Sequence, residues 1–221
     1  MATVEPLKNV KQHTVYKNKA NKRVVGTTTA LDVLNKRALI KWANDLGLQG
    51  IDSSKYVDKL SRIGTLAHER IACELQGEEP DLEAYSKEEI DLSDNSLLSY
   101  YSWLENHTIL PILVEKPLVS EEYQYGGTVD VYGTVDGKPS LVDLKTSKGI
   151  FPEHLYQLAA YHNLLIEHGY DVENVRILRI GRTEDEGFED RVVDVEALPP
   201  YFDVFKHCRA LYDLLKITKG V

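Results

Sequence analysis

The dipeptide Asp136-Gly137 separates two apolar, β-branched runs, and it constrains the fold of this chain more than any other segment. Asp-Gly favours a two-residue turn whose backbone twist matches that of a β-hairpin. The pattern therefore predicts antiparallel strands over residues 127–135 and 140–146. Pro139 lacks a backbone N–H to donate, so a longer loop or an edge position for the second strand stays open.

The hairpin register predicts that two carboxylates face each other. If Val135 pairs with Lys138, then Asp130 pairs with Asp143, and opposed residues hold their Cβ atoms about 4.5–5.5 Å apart. Like charges at that distance repel, so the two carboxylates need a cation between them. Lys145 lies two residues beyond Asp143 and shares its face. One hairpin would thus supply two oxygen ligands for a hard metal ion and one fixed positive charge, whereas the alternative is a solvated strand face.

The bulk composition predicts one domain inside a cell. The chain has 221 residues, of which 43% are hydrophobic, enough for a substantial core. It contains no apolar run of membrane-spanning length and no signal-peptide pattern, so we expect no membrane contact. Cys73 and Cys208 lie far apart, which fits a reduced chain and excludes a four-cysteine cluster. No GxxxxGK[ST], GxSxG or HExxH motif occurs.

The net charge of -9 is unevenly distributed along the chain. Residues 1–41 carry a net charge of +7, and the other 180 residues carry -16. A basic segment on an acidic body is common in strand-binding proteins, although a solvated, partly disordered tail would have the same charge. We expect a flexible basic arm over residues 1–24, whose candidate contacts to nucleic acid are Lys8, Lys11, Lys17, Lys19, Lys22 and Arg23.

The remaining pattern predicts helices before the hairpin and a mixed sheet around it. Helices are expected over 30–47, ended by Gly47, over 55–76, ended by Gly77, and from a capping box at Ser86 to about His107. A strand at 109–119, a helix at 153–168, strands at 175–180 and 191–195 and a helix at 200–216 complete the pattern. The domain would span residues 25–221, helical over 25–110 and with the sheet core over 111–221. This is an α/β fold with helices on the faces of a mixed sheet.

Four further residues are candidates for the same site. His68 lies one helical turn after Gly64 and is either a metal ligand or an ordinary helix histidine. Gln157 and Tyr161 share one helix face and could hydrogen-bond phosphate oxygens or water, or they could pack on the sheet. Glu115 lies on the strand before the hairpin, and the sequence favours neither of its two possible roles, a third carboxylate ligand or a solvated strand residue.

Four short motifs follow one another along the chain: GTLAHE at 64–69, GGTVD at 126–130, VDLKTSK at 142–148 and YQLAAY at 156–161. In this order they resemble the RecB-type branch of the PD-(D/E)XK nucleases. That branch includes phage recombination exonucleases, CRISPR-associated RecB-like exonucleases and mitochondrial genome maintenance exonuclease. Residues 24–45 also resemble the opening helix of phage-type members. Val129 replaces the signature proline, and the iron–sulfur cysteines of some relatives are absent.

The resemblance implies a restriction-endonuclease-like core, a mixed sheet flanked by helices with an N-terminal helical elaboration. It implies Mg²⁺ or Mn²⁺ as cofactor, with no iron–sulfur cluster. The implied ligands are His68, Asp130, Asp143 and the carbonyl oxygen of Leu144. Lys145 would orient or activate the attacking water, and Gln157 and Tyr161 would hold the phosphate or the strand. Further candidate contacts to nucleic acid are Thr146, Ser147 and Lys148.

The function that the resemblance implies is a metal-dependent DNA exonuclease acting on single strands or ends. It would work in phage-type recombination, replication or repair, in the cytoplasm of a bacterial or phage-infected cell. Its partners would be DNA and an unidentified recombination or replication protein. A structure-specific endonuclease, an RNA nuclease and a non-catalytic nucleic-acid-binding module stay open as alternatives. The presence of Asp130, Asp143 and Lys145 argues against the last of these.

Overall fold

The computed structural model describes residues 14–34 and 37–219, which form six strands and six α-helices. In chain order the elements are β1 (Val25–Gly26), α1 (Thr27–Leu31), α2 (Arg37–Leu48), α3 (Ser53–Gln76), α4 (Lys87–Leu104), β2 (Ile109–Ser120), β3 (Tyr125–Val135), β4 (Lys138–Lys145), α5 (Pro152–Glu167), β5 (Asn174–Ile180), β6 (Phe188–Asp194), a 3₁₀ turn (Val195–Ala197) and α6 (Pro199–Lys219). In this described part, no helix is both long and apolar enough to cross a membrane.

The six strands form one mixed sheet with β3 at its centre. Along one side, β3 is antiparallel to β2. Along its other side, β3 pairs first with β1, in parallel, and then with β4, antiparallel. The sheet continues through β5, parallel to β4, to β6. Helices α1, α5 and α6 pack on one core, and α3 and α4 pack on the other, which confirms the predicted fold class. The parallel strand β1, inside the predicted helical part, was not anticipated.

The predicted turn forms at Asp136-Gly137. Both residues have positive φ, 52° and 81°, as the two-residue hairpin turn requires. β3 and β4 pair in the predicted register, with Val135 opposite Lys138. Pro139 occupies the next position, where antiparallel residues exchange no hydrogen bond with each other, so its missing N–H costs this ladder nothing.

The predicted first helix, over 30–47, is wrong as a single element, because α1 ends at Leu31 and α2 begins at Arg37. Ala30 and Leu31 are buried in the core, whereas none of the described side chains of α2 is buried. Packing therefore holds α1 in place separately from α2. Gly47 lies within α2 instead of ending it.

The other helix boundaries follow the local signals in the sequence. α3 ends at Gly77, which adopts the left-handed conformation with φ 71°. α4 begins with the predicted capping box, in which Ser86 and Glu89 bond each other's backbone N–H groups. α4 ends at Leu104, slightly before the predicted His107.

Residues 14–24 correct the prediction of a flexible arm over 1–24. The segment 16–24, called here the N-terminal hairpin, folds back on itself, and Val24 N donates to Tyr16 O at 3.0 Å. It is anchored to the β2–β3 connection, where Asn18 Nδ2 donates to Gln124 Oε1 at 2.7 Å. The anchoring groups lie about a hundred positions away, so the local charge pattern could not reveal them. Lys8 and Lys11 lie outside the described residues.

Gly133 provides the first test of this packing. The register of β2 against β3 shifts between Pro111 and Leu113, and a Cβ at Gly133 would overlap the carbonyl oxygen of Leu110. Because the overlapped atoms are backbone, Gly133→Ala should lower the free energy of unfolding by about 1–3 kcal/mol or more. Urea denaturation would measure this loss. Gly149→Ala is the matched control, since no described atom lies within 4 Å of its Cβ position. Equal midpoints for the two variants would contradict the close approach.

Candidate active site

The two predicted carboxylates lie where β3 and β4 separate. Ladder pairing ends at Val131 opposite Val142, one step before Asp130 and Asp143. Beyond that pair, Asp130 Oδ2 accepts a hydrogen bond from the backbone N of Leu144 at 2.8 Å, and this side-chain bond replaces the ladder. The predicted pair of Asp130 and Asp143 therefore lies just beyond the ladder, at the fork between the strands, and is not itself a ladder pair.

The neighbouring strand β2 is distorted at the same point. The ladder pairs on either side place Glu115 opposite Asp130, and Glu115 is left-handed, with φ 47°. Val129 lies in one core and Val131 in the other, although residues two apart in a strand ordinarily share a face. A left-handed residue other than glycine costs about 1–3 kcal/mol, and such strain concentrates at functional sites.

Helix α3 carries His68 to the carboxylates. One turn earlier, a Cβ at Gly64 would lie only 2.8 Å from Thr146 Oγ1, so glycine permits the helix to approach the end of β4. His68 Nδ1 lies 3.7 Å from Asp130 Oδ1 and 3.8 Å from Glu115 Oε1. One ligand atom from each of these three residues falls within 4.8 Å of the others, an arrangement that could hold a metal ion. We call this set the metal cluster.

Lys145 neutralises Asp143 beside the metal cluster. Asp143 is fully buried, and its Oδ2 lies 2.5 Å from Lys145 Nζ. The same ammonium donates to the carbonyl oxygen of Leu144 at 3.2 Å. Both oxygens of Asp143 are buried without a hydrogen-bond partner among the described residues, and of the two only Oδ2 has the ion pair with Lys145. Two predicted ligands, Asp143 and the Leu144 carbonyl, are therefore engaged by the lysine, which leaves one carboxylate oxygen unsatisfied.

The charges at this site shift the pKa values of its members. Burial would lower the pKa of His68, but the charges and hydrogen bonds of Asp130 and Glu115 outweigh it and raise that pKa to about 10. Burial would raise the pKa of Asp130, but chiefly His68 and then Lys145 hold it below its ordinary value. Burial raises the pKa of Asp143 to about 6; Lys145 opposes this shift and the charge of Asp130 adds to it. Protonated His68 thus provides positive charge that the carboxylates need.

The donor set fits a hard divalent cation. Carboxylate and carbonyl oxygens are the ligands that Mg²⁺ and Mn²⁺ prefer, and manganese also accepts an imidazole. The unsatisfied Oδ1 of Asp143 is a buried acceptor that a cation could satisfy. His68, Glu115 and Asp130 are the residues that would hold the ion, whereas the predicted ligand Asp143 lies outside this group and is paired with Lys145. The sequence left Glu115 undecided between a ligand and a solvated residue, and the structure places it among these candidate ligands.

Helix α5 supplies the two other predicted residues. A Cβ at Gly127 of β3 would overlap the ring of Tyr161, so this glycine lets the tyrosine approach the sheet. Gln157 Nε2 donates to the hydroxyl oxygen of Tyr161 at 2.8 Å, which leaves the phenol hydrogen for another acceptor. Burial, and then the charges of Asp130 and Asp143, raise the pKa of Tyr161 well above 10. The phenol therefore stays protonated beside the two carboxylates.

The predicted contacts to nucleic acid differ in exposure. Thr146 is half-buried, next to Gly64. The half-buried Ser147 donates its hydroxyl to the carbonyl oxygen of Gly149 at 2.8 Å. The predicted basic side chains in the described part of the chain are exposed, namely Lys17, Lys19, Lys22, Arg23 and Lys148. Those exposed cations are available to a polyanion, whereas Ser147 already has an internal partner.

Tyr16 lies at the site without having been predicted. A Cβ at Gly126 would overlap its ring, so the ring fits into the space that this glycine leaves. Its hydroxyl lies 2.9 Å from Thr128 Oγ1, two residues before Asp130, although Tyr16 and Thr128 are 112 positions apart. Burial chiefly raises the pKa of Tyr16, and the charges of Glu115 and Asp130 also contribute. The sequence carries no signal for this placement, since Tyr16 belongs to no motif.

The strain at Glu115 can be separated from its charge by two substitutions. Glu115→Gly and Glu115→Gln both remove the carboxylate, and both should weaken Mn²⁺ binding in calorimetry. Only glycine also relieves the strain of the left-handed backbone, which costs about 1–3 kcal/mol. Glycine in a strand loses about 0.5–1 kcal/mol through the greater entropy of the unfolded chain, so the relief of strain outweighs this loss. The metal-free glycine variant should therefore unfold at higher denaturant than the glutamine variant. A glutamine variant that is equally or more stable would contradict the strain, and unchanged Mn²⁺ affinity would remove Glu115 from the ligand set.

Comparisons with known proteins find only a weak likeness to solved structures. No protein-family model matches the chain, and no curated protein matches its sequence. One similar structure is LHK-Exo in complex with dAMP, at 13% identity and a TM-score of 0.40. Another is the alkaline exonuclease LHK-Exo from Laribacter hongkongensis, at 12% identity and a TM-score of 0.39. Both alignments cover 89% of this chain and 93% of the other. At this level of likeness, function has to be inferred from the chemistry of the site.

Proposed function

We propose that this protein is a metal-dependent nuclease that hydrolyses phosphodiester bonds in DNA. The observation that carries the proposal is the metal cluster of His68, Glu115 and Asp130 beside the buried pair of Asp143 and Lys145. A phosphodiester is an anion that repels an attacking hydroxide, and its transition state carries further negative charge. A site that joins cation ligands to a fixed ammonium group suits that reaction.

The cofactor in this proposal is Mg²⁺ or Mn²⁺, held by His68, Glu115 and Asp130, with Asp143 next to them. A bound divalent cation would supply positive charge against the phosphate and would make water a better nucleophile at neutral pH. The backbone N of Leu144 fixes Asp130 by bonding one of its oxygens, so the carboxylate is already oriented.

Lys145 places its ammonium group where negative charge develops. Its partner Asp143 is fully buried, so the ion pair is held in one position on a rigid strand. In the proposal, Lys145 orients the attacking water and stabilises the charge on the phosphorus oxygens. Tyr161, whose oxygen accepts from Gln157, donates its hydrogen to a phosphate oxygen and holds the strand.

The finer proposal is an exonuclease of the RecB-type branch that acts on single strands or ends. It is supported by the four motifs, because His68, Asp130, Asp143, Lys145 and Tyr161 all belong to them and meet around one site. The exposed basic side chains of the N-terminal hairpin offer attraction for a polyanion at one side of the fold. A role in phage-type recombination, replication or repair, with a partner protein from that process, belongs to the same proposal.

One set of assays tests the proposal. End-labelled single-stranded DNA, duplex DNA, closed circular DNA and an RNA oligonucleotide would each be incubated with Mg²⁺, Mn²⁺ or EDTA. Metal-dependent loss of linear DNA but not of circles is expected. Asp130→Asn should abolish the reaction, and Asp203→Asn, at an exposed position on α6, is the matched control. Cutting of circles would favour the endonuclease alternative. Binding without cleavage under every condition would favour a non-catalytic module.

A further inference from the structure

Two tyrosine rings occupy the space left by two glycines at the start of β3 and by one glycine on β1. A Cβ at Gly126 would overlap the ring of Tyr16, and a Cβ at Gly127 would overlap the ring of Tyr161. On β1, a Cβ at Gly26 would lie 3.2 Å from the ring of Tyr16. Both phenol rings are thereby brought beside β3, the strand that carries Asp130 of the metal cluster. Of the two tyrosines, only Tyr161 belongs to one of the four motifs, YQLAAY at 156–161.

The hydroxyl of Tyr16 is oriented by the strand it covers. Thr128 Oγ1 lies 2.9 Å away, and a threonine hydroxyl that donates to the phenol oxygen leaves the phenol hydrogen for another acceptor. Both Tyr16 and Thr128 are partly exposed, so that hydrogen can reach a bound molecule. Thr128 lies two residues before Asp130 on β3, so its contact with the phenol holds Tyr16 at the part of the strand that carries this carboxylate.

The fold does not depend on this hydroxyl to hold the N-terminal hairpin. Asn18 Nδ2 donates to Gln124 Oε1 at 2.7 Å, and the backbone N of Lys19 donates to Glu121 Oε1 at 2.6 Å. The ring of Tyr16 also packs against the sheet through the glycine positions. A phenylalanine at position 16 would keep all of these contacts. Anchoring of the hairpin therefore does not account for the hydroxyl of Tyr16.

We propose that Tyr16 is a substrate-positioning residue whose hydroxyl donates a hydrogen bond to a backbone phosphate oxygen of the nucleic acid, next to the scissile phosphate. This inference rests on the proposed nuclease function and adds a contact from outside the four motifs. The hairpin that presents Tyr16 also carries exposed basic side chains, at Lys17, Lys19, Lys22 and Arg23. These charges attract the strand, and the neutral phenol fixes the position of one phosphate.

The first test compares Tyr16→Phe with Tyr132→Phe. The control removes another tyrosine hydroxyl that makes a hydrogen bond, since Tyr132 on β3 donates to the carbonyl oxygen of Asp171 at 2.7 Å. A lost hydrogen bond to a charged group should lower kcat/KM of Tyr16→Phe about ten- to hundredfold on single-stranded DNA. Its melting temperature and Mn²⁺ affinity should match wild type. Unchanged kcat/KM in Tyr16→Phe would overturn the inference.

The second test identifies the phosphate and excludes a purely structural role. Single-stranded substrates would carry one uncharged methylphosphonate at successive positions around the cleaved bond. Wild-type protein should lose rate at one position next to the scissile phosphate, and Tyr16→Phe should lose no further rate at that position. Equal losses for both proteins at every position would overturn the contact, because a looser hairpin would slow all substrates alike.

The two proposals fail in distinguishable ways. If wild-type protein cleaves no nucleic acid with any metal, the proposed function itself is wrong, and Tyr16 loses its role with it. If wild-type protein cleaves and Tyr16→Phe behaves like Tyr132→Phe in both tests, only the role of Tyr16 is wrong. Thr128→Val, which removes the partner of the phenol but keeps the phenol itself, should show a smaller loss of kcat/KM than Tyr16→Phe.

Discussion

Asp143→Asn is expected to lower metal-dependent cleavage by at least about a thousandfold while leaving the fold intact. Asparagine has the size of aspartate but no charge, so the substitution removes the partner of Lys145 and the neighbour of the metal cluster without opening a cavity. Undiminished Mg²⁺-dependent activity in a pure Asp143→Asn sample would exclude this site as the reaction centre.

The same substitution should stabilise the metal-free protein at neutral pH. Burial raises the pKa of Asp143 to about 6, and the charge of Asp130 adds to the shift despite the opposing Lys145. In the unfolded chain the pKa of an aspartate is about 4. Between those two values the folded state binds more protons than the unfolded state, so wild-type stability falls as pH rises from about 4 to 6. Asparagine resembles the protonated acid, so the stability of the Asp143→Asn variant should not fall over this pH range.

Thermal melts in EDTA at pH 4 and pH 7 measure this effect. Asp143→Asn should melt higher than wild type at pH 7, and the difference should nearly disappear at pH 4, where the acid is largely protonated. Asp203→Asn is the control, because Asp203 is an exposed residue on α6 that pairs with Lys206. A variant that melts lower than wild type at pH 7 would mean that the ion pair with Lys145 outweighs burial and the repulsion from Asp130.

Lys145→Met is expected to reduce turnover by about a hundred- to a thousandfold while leaving Mn²⁺ binding intact or tighter. Methionine keeps much of the apolar stem that packs on the strand, and it removes only the ammonium group. Lysine is not a metal ligand, and its charge already competes with a cation for the field of Asp130. Turnover would be measured at saturating DNA, and Mn²⁺ binding by calorimetry. Lost Mn²⁺ binding in this variant would contradict the role assigned to Lys145.

The metal-free form of the lysine variant should be less stable than wild type. Removing one partner of a buried ion pair leaves the other charge uncompensated, which costs up to about 3–5 kcal/mol. Asp143 can take up a proton, so the loss should be smaller at acid pH, and added Mn²⁺ should restore stability at pH 7. Lys138→Met, at the exposed opposite end of β4, should leave both stability and turnover unchanged.

The sequence by itself determined the hairpin and the carboxylates that it carries. The turn at Asp136-Gly137 depends only on local backbone preferences. A two-residue turn fixes the register of the strand pairs that follow it, here as far as Val131 and Val142. Because residues two apart in a strand share a face, the sequence also placed Asp143 and Lys145 together, and Lys145 Nζ lies 2.5 Å from Asp143 Oδ2. The cap of α3 at Gly77 and the capping box of α4 followed for the same reason, since the groups involved are neighbours in the chain.

The tertiary structure decided which distant residues complete the site. Glu115 adopts a left-handed backbone within β2, opposite Asp130, and no local pattern predicts a strained glutamate within a strand. Tyr16 reaches Thr128 across 112 positions, through space that glycines leave open. The separation of α1 from α2 likewise coincides with a difference in burial, since Ala30 and Leu31 are buried and none of the described side chains of α2 is. Such placements arise from packing between segments far apart in sequence, where periodicity and turn chemistry carry no information.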